Sequence, residues 1–163
     1  MRLVMPMSIL KEHRRSAKNS VVLMSNNQPS ALSSTTIDVR VYIEDTDAGG
    51  IVFYVNYLKY MERARTEFMR QLGFGKAAIF ADQLMFVVHS LTINYRAPAV
   101  LDDCLSISAV VKKSSKMAVV FEQQVYRNNQ LLCEAEVKVA CVDRGTQQLA
   151  VMPESLIKQI IPH

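Results

Sequence analysis

Apolar and polar positions change their period several times along the chain. From residue 37 to 44, Ile37, Val39, Val41 and Ile43 alternate with Asp38, Arg40, Tyr42 and Glu44, the period of a half-buried strand. Beyond a glycine pair, Tyr54, Tyr57, Leu58, Met61, Ala64, Phe68 and Leu72 recur at helical spacing, with Lys59, Arg63, Thr66 and Arg70 opposite. A helix over residues 54–72 is expected, closed by Gly73. At about 100° per residue, Arg65 falls inside the apolar arc. Its head either snorkels to water at the sheet edge or is paired, at a subunit contact or near the site acids. Residues 75–82 read as a short second helix or a loop over an entrance. Strand-like runs then cover 85–96, 103–113, 117–127 and 131–142, broken by turn chemistry at Ala97-Pro98, Lys113 to Lys116 and Asn128-Asn129. Pro153 to Ile161 reads as a short helix or ordered tail. One strand, one long helix and an antiparallel meander make an α+β domain whose curved sheet can wrap the helix.

Ahead of this pattern, residues 1–36 lack sustained periodicity. They pair Lys11-Glu12-His13-Arg14-Arg15 with a polar stretch around Ser25-Asn26-Asn27, and read as a disordered basic extension to a single domain over 37–163. Met5, Met7 and Met24 are alternative starts. A basic arm touching anionic lipid, with peripheral inner-membrane association, is the functional alternative to a solvated tail.

Charge changes the picture little. The net charge of +4 resides in this extension, where Arg2, Lys11, Arg14, Arg15 and Lys18 face only Glu12, and the rest of the chain is balanced. A neutral domain with a basic tail argues against nucleic acid as a partner. At 163 residues, half of them hydrophobic, the chain can build one substantial core. Cys104, Cys133 and Cys141 show neither C-x-x-C spacing nor a clustered histidine, so no disulfide framework and no metal site is expected, and a cytoplasmic location fits. No apolar run approaches the roughly 20 residues of a membrane span.

The candidate chemistry lies between the first strand and the helix, in Glu44-Asp45-Thr46-Asp47-Ala48-Gly49-Gly50. Gly49 and Gly50 can turn the chain sharply, which sets Asp47 beside a helix N-terminus. The unpaired N–H groups there carry partial positive charge and can hold a carbonyl oxygen as negative charge develops on it. Acid, turn and donors together suit acyl transfer, with Asp47 attacking a carbonyl or activating water. The competing reading is an ordinary turn with side chains bonding nearby backbone N–H groups. A calcium loop fails at Gly49 and Asn56, which stand at the fifth and twelfth EF-hand positions.

This stretch, together with Glu62-Arg63-Ala64-Arg65-Thr66-Glu67, Phe86-Val87-Val88, Tyr95-Arg96-Ala97-Pro98-Ala99, Leu101-Asp102-Asp103 and Glu134-Ala135-Glu136-Val137, resembles the hotdog-fold acyl-CoA thioesterases. Within them it looks most like the YbgC-like branch, associated with the Tol-Pal system and related to the 4-hydroxybenzoyl-CoA thioesterases. The resemblance spans about Asp38 to Asp143. It implies a hotdog fold and a homodimer or homotetramer whose sheets join edge to edge, with active sites at the subunit interface. It further implies hydrolysis of a short-chain, long-chain or aromatic acyl-CoA, with coenzyme A as part of the substrate and no other cofactor. Asp47 matches the family's catalytic aspartate and the Tyr54 N–H its helix-start oxyanion donor. Many YbgC-like chains carry histidine where this one has Tyr54; the hydroxybenzoyl relatives carry tyrosine, so the change bears on acyl preference. Asn56 and Tyr57 are expected to position the loop or line the acyl site.

Three other features are weighed beside this one. The basic hairpin tip with Lys113 and Lys116 can pair with coenzyme A phosphates, as basic residues near it do in related thioesterases, or can be a solvated turn. His89 shares its predicted strand face with Val87, Leu91, Ile93 and Tyr95, and reads as a core or interface histidine; no nucleophile or acid lies at triad spacing. Glu62 is the runner-up catalytic carboxylate, since another thioesterase branch places its acid on the long helix; Glu67 points to the polar face. The alternative class is a non-catalytic hotdog scaffold that binds acyl-CoA or acyl carrier protein beside the Tol-Pal complex.

Overall fold

The computed structural model describes residues 32–75, 83–160 and 162. Five antiparallel strands carry most of it: β1 (Ser34–Arg40), β2 (Leu84–Tyr95), β3 (Cys104–Ser114), β4 (Ala118–Arg127) and β5 (Gln130–Asp143), in the order β1-β3-β4-β5-β2. The helix α1 (Tyr54–Gln71) lies between β1 and β2 in sequence, and a short α2 (Glu154–Ile157) comes after β5. The meander expected from alternation is present, each strand within two residues of its expected bounds.

Helix α1 packs its buried face, Tyr57, Tyr60, Met61, Ala64 and Phe68, against the inward side chains of the sheet, among them Leu105, Ile107, Val111, Phe121 and Val137. The Phe68 and Phe121 rings meet edge to face at 5.3 Å, a geometry that adds to plain area burial. Gly73 ends the helix with φ +82°, open to glycine at little cost. One sheet face is thereby covered by α1; the other presents polar residues such as Ser106, Glu122, Glu134 and Glu136.

Strand direction decides which groups share an end of the sheet. β1 and β2 both finish at the end where the 41–53 loop starts α1; β3 begins there too, since Arg40 pairs with Cys104. The far end holds the β3–β4 hairpin, the C-terminus of α1 and the start of β2.

Several expectations need correction. The first strand spans Ser34–Arg40, not 37–44, and Leu32 already pairs with Ile160, so the ordered domain begins before residue 37. The disorder expected for 1–31 and the second helix expected over 75–82 lie on residues outside the described ones, apart from Gly75. Ile43 is not a core strand position: Ile43–Asp45 form a 3-10 turn, and Ile43 is 74% exposed. The Tyr42 N–H donates to the Asp45 carboxylate at 3.0 Å, and this local bond overrides the alternation. His89 is not a core residue: it is exposed on the edge strand β2, at a bulge between Val88 and Ser90, which leaves the interface half of the expectation; its described contact is Ser90 Oγ at 3.4 Å. No helix among the described residues is long and apolar enough to cross a membrane.

Candidate active site

The loop between β1 and α1 is a small folded unit. Thr46 pairs with Val52, and the Asp47 N–H donates to the Ile51 carbonyl at 2.9 Å, so residues 46–52 form a tight hairpin with Asp47 near its tip. Gly50 turns it with φ +77°. Asp47 Oδ1 accepts from the Gly49 N–H at 2.8 Å. A Cβ on Gly49 would stand 3.1 Å from that oxygen, so glycine is needed there for close approach and at Gly50 for its backbone angle. The turn reading is thus correct as geometry. It also fixes the Asp47 carboxylate, and Asp47 remains exposed.

The hairpin is bolted to the start of α1. The Asp45 carbonyl accepts from the Phe53 N–H at 2.9 Å and from the side-chain amide of Asn56, which is buried, at 2.8 Å. Phe53 is the N-cap residue and supplies no side-chain cap; no acid occupies the first turn. The Tyr54 and Val55 N–H groups, which have no carbonyl a turn back, therefore keep both their hydrogen-bonding capacity and the positive end of the helix dipole.

Aromatic side chains wall this end. The Tyr95 hydroxyl donates to the Tyr54 carbonyl at 3.0 Å, and Tyr95 meets the Tyr54 and Tyr57 rings edge to face at 6.3 and 5.6 Å. Tyr57 is buried, and its hydroxyl accepts from the Ala99 N–H at 2.8 Å. Burial pushes the Tyr57 phenol up, opposed by that bond. Tyr60 is fully buried with its hydroxyl near Asp45 but outside hydrogen-bonding geometry; burial and then the Asp45 carboxylate push its phenol up. Burial likewise pushes the Cys133 thiol up to about 12 and raises that of Cys141, so neither is a thiolate nucleophile at neutral pH. Among the described residues no cluster of three or more His, Cys, Asp or Glu could hold a metal ion.

Of the expected site residues, the structure brings together Asp47, Gly49, Gly50, Tyr54, Asn56 and Tyr57. Lys113 and Lys116 stand apart. β3 runs from Cys104 beside the loop to Lys113, roughly 30 Å away at the rise of a strand, so within one chain these lysines flank the opposite end of the sheet.

A cavity of about 410 Å³ opens at that opposite end. Its walls are largely apolar, with Met69 and Phe74 beyond the middle of α1, Met85 and Phe86 on β2 and Phe121 on β4. Glu62 and Arg65 add a polar edge. Arg65 is 8% exposed and bonds both the Glu62 carboxylate and the Gln123 side-chain oxygen. Gln123, fully buried, donates in turn to the Met61 carbonyl at 3.0 Å. Arg65 is therefore the paired guanidinium of the two readings, with partners inside its own chain and away from Asp47. The sequence pattern singles out Glu62 as the runner-up carboxylate but not the cavity, which α1, β2, β4 and β5 assemble together, nor the Ala99 N–H bond to Tyr57.

A curved antiparallel sheet around one long helix, with an acid on the hairpin that leads into an uncapped helix start, defines the class of hotdog-fold domains. The chain belongs to the thioesterase-like superfamily, within its YbgC-like branch. The family model for the thioesterase-like superfamily matches residues 41–160. The chain is 44% identical over 119 residues to the acyl-CoA thioesterase YbgC of Haemophilus influenzae, covering 72% of this chain and 88% of that protein. It is 43% identical over 122 residues to the acyl-CoA thioester hydrolase YbgC of Escherichia coli, covering 74% and 91%. Among solved structures, a probable thioesterase from Bartonella henselae superposes with a TM-score of 0.70 at 29% identity, covering 74% of this chain and all of that one.

Proposed function

We propose that the protein hydrolyses the thioester of acyl-CoA to a free acid and coenzyme A, with Asp47 as the reacting carboxylate. The observation that carries this reading is an exposed, oriented carboxylate on a hairpin that is hydrogen-bonded, through the Asp45 carbonyl, to a helix start whose first N–H groups are neither capped nor shadowed by an acid. The thioester carbonyl oxygen takes up the Tyr54 N–H, with Val55 next to it. Asp47 then attacks the carbonyl carbon, or takes a proton from a water that does. The tetrahedral oxyanion forms against donors already in place, so little reorganisation is needed. Its collapse breaks the C–S bond and the thiolate leaves. After direct attack the acyl group remains on Asp47 as a mixed anhydride, which water hydrolyses to the acid and the free carboxylate; in either route a proton from the water goes to the thiolate.

The acyl group needs a cavity, and the described one lies at the wrong end of the same helix. A second copy resolves this. β2 is an edge strand, with Val88, Leu91 and Tyr95 exposed along it, a form that invites pairing. A two-fold pairing of β2 with its symmetry mate is antiparallel, which carries one protomer's Asp47 end to its partner's cavity end and β3–β4 hairpin. The homodimer thus unites Asp47 and the helix donors of one protomer with the acyl cavity of its mate. Lys113 and Lys116 of that mate come to the same end, where they can meet the phosphates of coenzyme A or of an acyl carrier protein's prosthetic arm.

Thiol release from a panel of acyl-CoA esters, by the wild type and by Asp47→Asn at equal oligomeric state, tests the reading. Wild-type turnover with a loss of about 10²–10⁴-fold in the variant is expected. Equal activity would move the chemistry to Glu62. Absence of turnover in both would favour a scaffold that binds acyl carriers beside an envelope complex.

A further inference from the structure

The Ala99 peptide is bonded on both sides. Its N–H donates to the Tyr57 hydroxyl at 2.8 Å, and its carbonyl accepts from the Val52 N–H at 2.9 Å; Ile51 and Val100 pair alongside. Tyr57 belongs to the first turn of α1, which supplies the oxyanion donors. Val52 belongs to the return arm of the hairpin that presents Asp47. One buried peptide therefore spaces the carboxylate from the donors.

Ala99 itself lies in the irregular connection between β2 and β3, and no ladder of strands holds it. Asp103 does. Its Oδ2 accepts from the Val100 N–H at 2.9 Å and from Arg127 Nη1 at 2.7 Å, and its carbonyl accepts from the Val41 N–H at 2.9 Å. Arg127, at the end of β4, also donates to Gln130 Oε1 at 2.8 Å. The neighbouring Asp102 sits at φ +69°, with its carbonyl taken by Arg40 Nη1 at 2.7 Å. A non-glycine residue in that region costs on the order of 1–3 kcal/mol and persists only where its surroundings hold it. The Asp103 side chain is 15% exposed, and its bonds go to the turn and to Arg127 rather than to Asp47 or the helix start.

We infer that Asp103, clamped by Arg127, is a positioning residue for thioester hydrolysis: it holds the 99–103 turn and, through the Ala99 peptide, sets the distance between the Asp47 carboxylate and the helix-start donors. The inference rests on the reading of Asp47 given above. Because a misplacement of about 1 Å in an active site can cost as much as 10²-fold in rate, kcat should fall further on breaking the clamp than the folded fraction does.

The experiment compares the full-length wild type, Asp47→Asn, Asp103→Asn, Asp103→Ala and Arg127→Met. It reads kcat and KM on an acyl-CoA ester that the wild type hydrolyses, the melting temperature, and hydrogen exchange of the Val52 amide. Asp103→Ala should lower kcat by about 10- to 100-fold, with KM within about threefold, and should speed exchange at Val52 while amides in the middle of β3 and β4 keep their protection. Asp103→Asn, which retains an acceptor for the Val100 N–H, should recover part of the rate. If Asp103→Ala does not fold, Arg127→Met carries the test on the same readouts. An active wild type and an inactive Asp47→Asn, with clamp variants that lose activity only in step with their folded fraction, would overturn the inference and leave the function intact. An Asp47→Asn as active as the wild type overturns both. If no ester is turned over, Val52 exchange decides: faster exchange supports the clamp, and unchanged exchange overturns it.

Discussion

The two ends of α1 differ in kind. At its N-terminus lie a carboxylate held by the Gly49 N–H, two open N–H donors and a shell of tyrosines, tied together by hydrogen bonds to the Asp45, Tyr54 and Ala99 peptides. At its C-terminal half lie the cavity and a guanidinium held by Glu62 and Gln123, with the exposed lysines of the β3–β4 hairpin at the same end of the sheet. The carboxylate assigned above stands at one end, and the described cavity lies toward the other. The helix start and the nearest cavity residue on α1, Glu62, are about 12 Å apart along the axis, and the cavity extends from there toward the far end. On the dimer proposed above the functional unit is larger than the chain, and it grows at the free edge of β2.

The contrast between the two ends breaks first at the cavity. Thr66 is exposed and lines it, so Thr66→Trp fills the space without disturbing the core. It should lower kcat/KM by about 10-fold or more for bulky acyl esters, measured by thiol release, while the melting temperature stays near that of the wild type. Unchanged kcat/KM would mean that the acyl group binds elsewhere.

Next in size is Arg65. Arg65→Met leaves the Gln123 oxygen buried without its donor, at a cost of about 1–3 kcal/mol, to be read by denaturant unfolding. Because its partners lie in its own chain, dimer affinity should fall less than stability does.

A smaller effect is expected at the hairpin. Reversing Lys113 and Lys116 to glutamate should raise KM for acyl-CoA by about three- to tenfold with kcat nearly constant, and the effect should shrink at high salt. An unchanged KM would return the hairpin to the status of a solvated turn.

The smallest concerns Lys112 and Glu136, paired at 2.6 Å on the polar sheet face. The Lys112 ammonium holds the Glu136 carboxyl below the usual carboxylate range. A depressed carboxylate contributes stability above its ordinary pKa and loses it as pH falls through its lowered value. The stability gap between wild type and Lys112→Met, tracked by thermal melts, should therefore be present at neutral pH and vanish in acid.

Features that act locally were legible in the sequence. Period-2 alternation identified β3, β4 and β5 because their side chains alternate between the core face and the outer face of the sheet; β2, at the edge, has no such alternation in burial. Gly73 marked the end of the helix because a left-handed angle is needed there. The Asp47 hairpin was legible because its carboxylate, its glycines and the helix start are close neighbours along the chain. Ile43 misled because the chain leaves the strand after Arg40 and is turned by a hydrogen bond to the Asp45 carboxylate, and the core half of the His89 reading failed at a single-residue bulge; neither feature shows in composition. The separation of Lys113 and Lys116 from Asp47 and the cavity built from α1, β2, β4 and β5 depend on strand order, as does the Ala99 junction. These were out of reach of spacing alone.

The most direct test mixes two disabled subunits. Asp47→Asn removes the carboxylate and Thr66→Trp fills the cavity, each abolishing most turnover by itself. After dissociation and random reassociation, half of the dimers carry one subunit of each kind. Each of these holds one site with both parts intact, so about one quarter of wild-type activity should return. No recovery in mixtures verified as mixed dimers would contradict a site shared between two copies and place carboxylate and acyl pocket in the same chain.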